Sequence, residues 1–146
     1  MKRNTVMGKT YQTAVINAPV GQVWNKIKNF HDLSWGSAIV EKCEAVGARP
    51  GDQIGAKRIL NDAFHETLVA FSEVDKSFKY SIDDGPAPVS KNDVKDYIGA
   101  VRLIPVTEDD TCLIEWSSSW ESSTEDACSF CHNIYAALIN ELKKAF

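Results

Sequence analysis

Ile16–Gly36, "INAPVGQVWNKIKNFHDLSWG", interrupts a chain that otherwise reads as strands until its last quarter. Just before it, "KTYQTAVIN" (Lys9–Asn17) alternates and is rich in Thr, Tyr, Val and Ile, as a strand is. Pro19 suits a first helical turn, where a missing N–H costs nothing. Val20, Val23, Trp24 and Ile27 then recur at i, i+3, i+4 and i+7, one apolar stripe along a helix that fades near Asn29. "HDLSWGS" reads as a second short helix or a turn. A plain β-barrel has no use for such an insert. Its expected task is to plug one open end of a curved sheet.

From Ser37 the period drops to two, and strands are expected at 37–46, 53–60, 63–74, 77–84, 93–106 and 111–121. "GARPGD", "ND", "VDK", "DDGPAP" and "TEDD" punctuate them as turns. Spacing this close leaves no room for crossover helices, so neighbours pair antiparallel. "SFKYSID" is the clearest strand, with Phe78, Tyr80 and Ile82 on one face and Ser77, Lys79 and Ser81 on the other. The closing "SSTEDACSFCHNIYAALINELKKAF" reads as a helix of roughly 22 residues and about 33 Å. Ser122 with Glu125 fits a capping box, and Lys143 and Lys144 suit the last turn. Ala127, Cys131, Ile134, Leu138 and Leu142 form its main apolar face.

The order is therefore strand, short helices, six antiparallel strands and a long helix, an α+β domain spanning residues 1–146. One long helix can cover one face of the sheet. Such an arrangement easily leaves a hollow between them, and an empty hollow costs about 24 cal/mol per Å³.

Composition narrows the partners. With 16 basic against 20 acidic residues the chain carries −4, and its basic residues are scattered, which gives no footing for nucleic acid or an anionic membrane. The basic start lacks the apolar run of a secretory signal, and no stretch approaches the roughly 18 apolar residues of a membrane span. A cytoplasmic monomer or weak homodimer is expected. Cys43, Cys112, Cys128 and Cys131 allow two bridges, but without a signal peptide free buried thiols are the expectation.

"CSFCH" (Cys128–His132) matches both a haem-attachment pattern and a redox Cys-x-x-Cys near a helix start. Haem attachment belongs to exported proteins, and Met1 and Met7 sit in a start that looks unstructured. A thioredoxin-like site needs a βαβ setting, and Glu125 and Asp126 oppose a lowered thiol pKa. No second ligand pair accompanies the cysteines, and His31, His65 and His132 are dispersed, so neither a metal nor a cofactor is expected.

Glu66 falls within the apolar series Phe64, Leu68 and Ala70 of a regular strand, where an isolated charge is costly. A three-residue turn at Asn61–Ala63 sets Arg58 opposite it; a two-residue turn at Asn61–Asp62 sets Lys57 there instead. With a cation alongside, the Glu66 pKa should not rise strongly. Tyr80, Tyr97, Trp116 and Trp120 are strand aromatics that suit a core or the wall of a cavity for a flat apolar ligand.

The order of elements and several strings together resemble the helix-grip SRPBCC/START-like superfamily, which includes birch-pollen allergens, START lipid-transfer domains, bacterial polyketide cyclases and plant abscisic acid receptors. The opening stretch resembles that family's Ala-Pro and Val-Trp start. "GDQIGAKRIL", "HETLVAFSEVDKSFKYSI", "GPAPVSKNDVKDY" and "IEWSSSWE" resemble successive pieces of its cyclase and receptor branch. The resemblance implies that Glu66 of the E-x-L string and Tyr97 after the Pro-rich turn point into a cavity, with Arg58 before the first gate-like turn. Glu41 stands near the place of the receptors' carboxylate-binding Lys, and the turn "LNDAF" is shorter than their loop.

The expected function is carriage or sensing of a small hydrophobic molecule, lipid-like or polyketide-like. Arg58, Leu60, Phe64, Glu66, Leu68, Tyr80, Tyr97, Trp116, Ile134 and Leu138 are the candidate contacts. The alternative is a cyclase or dehydratase in which Glu66 and Tyr97 move protons. A protein-interaction module of the same fold is a third class, which nothing basic or exposed in the sequence favours.

Overall fold

Alternation along the strands builds one antiparallel sheet with a dry face and a wet one. The computed structural model describes residues 5–146, so Met1 and the basic Lys2–Arg3 of the start lie outside the described residues. The elements are β1 (Val6–Ile16), α1 (Val20–Ile27), a 3-10 turn at Ser34–Gly36, β2 (Cys43–Val46), β3 (Lys57–Leu60), β4 (Phe64–Ser72), β5 (Ser77–Asp84), β6 (Val94–Val106), β7 (Thr111–Ser122) and α2 (Asp126–Lys144). The strands lie in the order β1-β7-β6-β5-β4-β3-β2, so every neighbour is consecutive in the chain except β1 with β7. This curved sheet, gripped by the long α2, is the expected helix-grip α+β architecture.

On β7 the period of two is strict. Cys112, Ile114, Trp116, Ser118, Trp120 and Ser122 are buried, while the residues between Cys112 and Ser122 that alternate with them are only half-buried. Opposite them, α2 buries Ala127, Cys131, Tyr135, Leu138, Ile139 and Leu142. Between these layers α1 contributes Val23, Trp24 and Ile27, and the link after it contributes Phe30 and Leu33. Glu73 accepts a 2.7 Å hydrogen bond from Trp24 Nε1, which pins α1 to the β4–β5 turn.

Several boundaries differ from the sequence reading, each for a local reason. The strand expected at 37–46 shrinks to β2, because the Ile39 and Val40 amides fold back onto the Gly36 carbonyl at 3.0 and 2.9 Å and continue the helical turn. Residues 53–56 are turns, since Gln53 and Ala56 donate to Pro50 and Gln53 carbonyls and Gly55 adopts φ +95°. Met7 lies in β1 and not in an irregular start.

The capping box does not form. Ser122 is still laddered to Val6 and Val94, and α2 begins four residues later, with no side-chain cap at Glu125. The helix is accordingly 19 residues long. Ile134, placed on the main apolar face by its spacing, is only half-buried, and Tyr135 takes the inward position. No helix is long and apolar enough to cross a membrane among the described residues.

Leu142 is fully buried at the inner face of α2. Leu142→Ala should lower the unfolding free energy by about 2–5 kcal/mol in urea titration, the usual loss for a core truncation. A change under about 0.5 kcal/mol, the scale of surface substitutions, would mean that this face does not clamp the sheet.

Candidate functional site

The β3–β4 hairpin fixes the charged centre. Asn61 and Asp62 take positive φ, 53° and 56°, a conformation their short polar side chains tolerate. The resulting three-residue turn pairs Leu60 with Phe64 and therefore Arg58 with Glu66. Lys57 is paired with Thr67 and points outward to its hydroxyl. Arg58 Nε donates to Glu66 Oε1 at 2.8 Å, and Nη2 lies 2.7 Å from the same oxygen. Nη1 donates to the Phe30 carbonyl at 2.9 Å, and the guanidinium lies 3.8 Å from the Phe30 ring centroid. Both residues are 5% exposed.

Burial raises the Glu66 carboxyl above its ordinary value, and Arg58 pulls it back only in part. The expectation was that pairing would keep it from rising strongly, and the direction found is upward. The reason is that burial disfavours the ionised carboxyl more than Arg58 favours it. No described residue donates to Oε2, and Oε2 is not sealed, since the only fully buried side-chain N or O without a partner among the described residues is Trp35 Nε1.

A chain of hydroxyls lies beside this pair. Trp116 Nε1 donates to Tyr80 at 3.0 Å, Tyr80 donates to the Tyr135 hydroxyl at 2.9 Å, and Tyr135 shares a short hydrogen bond with Tyr97. Tyr80 can lie flat on β6 because its cross-strand partner is Gly99; a methyl there would overlap the Tyr80 ring. Tyr97 stacks on Trp120 at 5.3 Å, and Tyr135 on Trp116 at 5.0 Å. Burial drives the Tyr80, Tyr97 and Tyr135 hydroxyls well above their ordinary range, so all three remain protonated donors. Tyr97 is thereby unsuited to the role of a base.

These groups meet at a cavity of about 130 Å³ between sheet and α2. Arg58, Leu60, Phe64, Glu66, Tyr80, Tyr97, Trp116, Ile134 and Leu138 all line it. Leu68 does not. It sits further along β4, bonded through its backbone to Gly55 and Ala56, and is 1% exposed within the core. Leu33, from the opening stretch, and Ile39 and Val40 just after it supply one wall, while no α1 residue lines the hollow.

Tyr135, Cys131, Phe130, Asn61 and Ile82 also line the cavity and were not singled out from sequence. Tyr135 had a readable signal, being four residues after Cys131 and three before Leu138 on the same helical face. Phe64 and Phe130 stack at 6.4 Å and are half-buried, which places them at the rim.

The cysteines do not act as a unit. All four are free; Cys128 is exposed, while Cys131 faces inward with its thiol pushed up by burial to about 11. A redox-active thiol needs the opposite shift. Among the described residues no three His, Cys, Asp or Glu side chains are placed to hold a metal.

Residues 7–146 match the family model described as polyketide cyclase / dehydrase and lipid transport. The chain belongs to that family. A member-like structure from Nitrosospira multiformis is 43% identical, with 94% of this chain and 95% of that chain covered and a TM-score of 0.93. Ginseng major latex-like protein 151 from Panax ginseng shares the fold at 17% identity, 96% and 97% coverage and a TM-score of 0.77. Norcoclaurine synthase from Thalictrum flavum, in complex with dopamine and hydroxybenzaldehyde, shares it at 16% identity, 97% and 87% coverage and a TM-score of 0.75. A search of curated proteins gave no significant match to this polyketide cyclase/dehydrase family chain.

Two outcomes test the charged centre. Glu66→Gln should cost about 3–5 kcal/mol by leaving Arg58 buried and unpaired. In a double-mutant cycle, Glu66→Gln should couple strongly to Arg58→Met and not to Lys57→Met; zero coupling to Arg58 would dismiss the pair.

The second outcome concerns pH. A carboxyl raised on folding holds its proton longer in the folded state. Its stabilising contribution is full below the ordinary value of 4.5 and is lost as pH rises through the folded value. Urea midpoints should therefore fall more steeply with rising pH, across that window, in the native protein than in Glu66→Gln. Parallel curves would show that Glu66 is not raised.

Proposed function

We propose that this polyketide cyclase/dehydrase family protein binds a small hydrophobic molecule in the hollow between its sheet and α2. The observation that carries the reading is the retained cavity of about 130 Å³ with polar groups set into apolar walls. Left empty, a hollow of that size costs about 3 kcal/mol at about 24 cal/mol per Å³. Native cores seldom tolerate such a loss without a use. The candidate contacts are Arg58, Leu60, Phe64, Glu66, Tyr80, Tyr97, Trp116, Ile134 and Leu138, joined by Tyr135. Volume limits the occupant. An apolar cavity of about 150 Å³ admits benzene, whereas drug-sized ligands need roughly 300–1,000 Å³. As it stands the hollow fits one ring; a sterol, a flavonoid or a fatty acid requires the rim at Phe64 and Phe130 to part.

A second reading has a specific observation behind it. A raised carboxyl and a protonated hydroxyl face one cavity, the pairing that proton transfer with oxyanion support requires. In that cyclase- or dehydratase-like reading Glu66 takes the proton and Tyr97 or Tyr135 donates a hydrogen bond to the developing oxyanion. Fold relatives of low identity include both a latex-like protein and a synthase, so the fold does not choose between carriage and catalysis.

One experiment tests both. One-ring apolar compounds at 100 times their dissociation constant should add about 2.7 kcal/mol of stability. At roughly 2–4 °C per kcal/mol, the melting temperature should rise by about 5–11 °C. Ile134→Trp, at a half-buried lining position, should remove the shift while circular dichroism stays native. No shift in the native protein across the series would dismiss cavity binding. Mass spectrometry of the same samples separates the readings: a carrier returns the compound unchanged, and an enzyme does not.

A further inference from the structure

We infer that the cavity selects neutral one-ring molecules that both donate and accept a hydrogen bond, and that it rejects carboxylates. The inference rests on the proposed cavity binding and names the ligand class for that same hollow. Its first support is the charge count. Among the lining residues the charged groups are Arg58 and Glu66, and they cancel. Each Arg58 nitrogen is already engaged, with Nε and Nη2 against Glu66 Oε1 and Nη1 on the Phe30 carbonyl. An entering carboxylate would lose its water, meet no unbalanced cation and lie near the Glu66 carboxylate. Burying a charge without a partner is far costlier than burying a neutral polar group.

The second support is the unspent hydrogen-bonding capacity. Glu66 lines the cavity and its Oε2 accepts nothing from a described residue, so that oxygen is the one left to take a ligand O–H or N–H. The three tyrosine hydroxyls have three protons, and the two links among them use two. Tyr80 spends its proton on Tyr135, so the spare O–H belongs to Tyr97 or Tyr135. Inside the protein the groups beside the Tyr97 hydroxyl are the Cys131 thiol, a weak acceptor, and the Ser118 hydroxyl, which is already bonded to Thr10 at 2.6 Å. A ligand carbonyl is better. The two positions thus ask for opposite roles from one small molecule, and the volume confines it to a single ring.

Isothermal titration at neutral pH with ethylbenzene, acetophenone, para-hydroxyacetophenone and para-hydroxybenzoate tests this. Affinity should rise about three- to tenfold at each of the first two steps, the worth of one hydrogen bond each. The benzoate should bind at least about tenfold more weakly than para-hydroxyacetophenone, the cost of burying an unpaired charge. Glu66→Gln leaves Arg58 unbalanced and should shift the ratio of these two by at least about tenfold toward the benzoate. Should that variant fail to fold, the native series decides alone. Benzoate binding as tight as the ketone, or equal binding of all four, would overturn the selectivity and leave cavity binding standing. No binding by any of the four, ethylbenzene included, would overturn both.

Discussion

A buried ion pair holds the two ends of the site in register. Arg58 reaches Glu66 across the hairpin and the Phe30 carbonyl across the interior, so strand, turn and the link after α1 share one guanidinium. Two aromatic rings lie beside that group. The Phe30 ring lies 3.8 Å from it, and the Tyr80 ring 5.5 Å. Taking this pair from water is expensive, and an apolar pair of equal volume would often be as stable. Its value here is positional. It holds the charged wall of the cavity against the segment that closes its end, and it cancels its own charge in doing so.

The hydroxyl chain is the complementary half of the site and depends on the sheet in a different way. Tyr80, Trp116 and Tyr97 come from three adjacent strands, and Tyr135 meets them from α2. Their convergence needs close approach of ring to backbone, which the missing side chain of Gly99 permits. A chain of donors in a dry interior polarises each member and stiffens the whole. The cavity floor is therefore rigid, while its half-buried rim at Phe64 and Phe130 is not so constrained.

Much of this was legible in the sequence, for identifiable reasons. Period-two alternation located β5 to the residue, and the three-residue turn was one of only two that Asn61–Ala63 allowed. The pairing of Leu60 with Phe64 settles which of the two forms. The misses arise where backbone bonding overrides side-chain pattern. Ile39 and Val40 look like a strand start but bond back to Gly36, and Leu68 looks inward-facing like Glu66 but lies beyond the end of β3. Tyr135 was overlooked because an aliphatic neighbour, Ile134, fitted the helical stripe nearly as well. Volume was never legible, since it is what remains after every side chain has taken its place.

The pairing of β1 with β7 has a kinetic consequence. Ile16 faces Cys112 and Val6 faces Ser122, so the sheet is complete only when its first and last strands have met. Closing so long a loop must be achieved before its contacts repay the lost entropy, which places such topologies among the slower folders. The cavity walls run from Leu33 to Leu138, so the pocket is assembled from parts far apart in sequence. A molecule that bound only the finished hollow, with contacts made after the transition state, would slow unfolding and leave the folding rate alone.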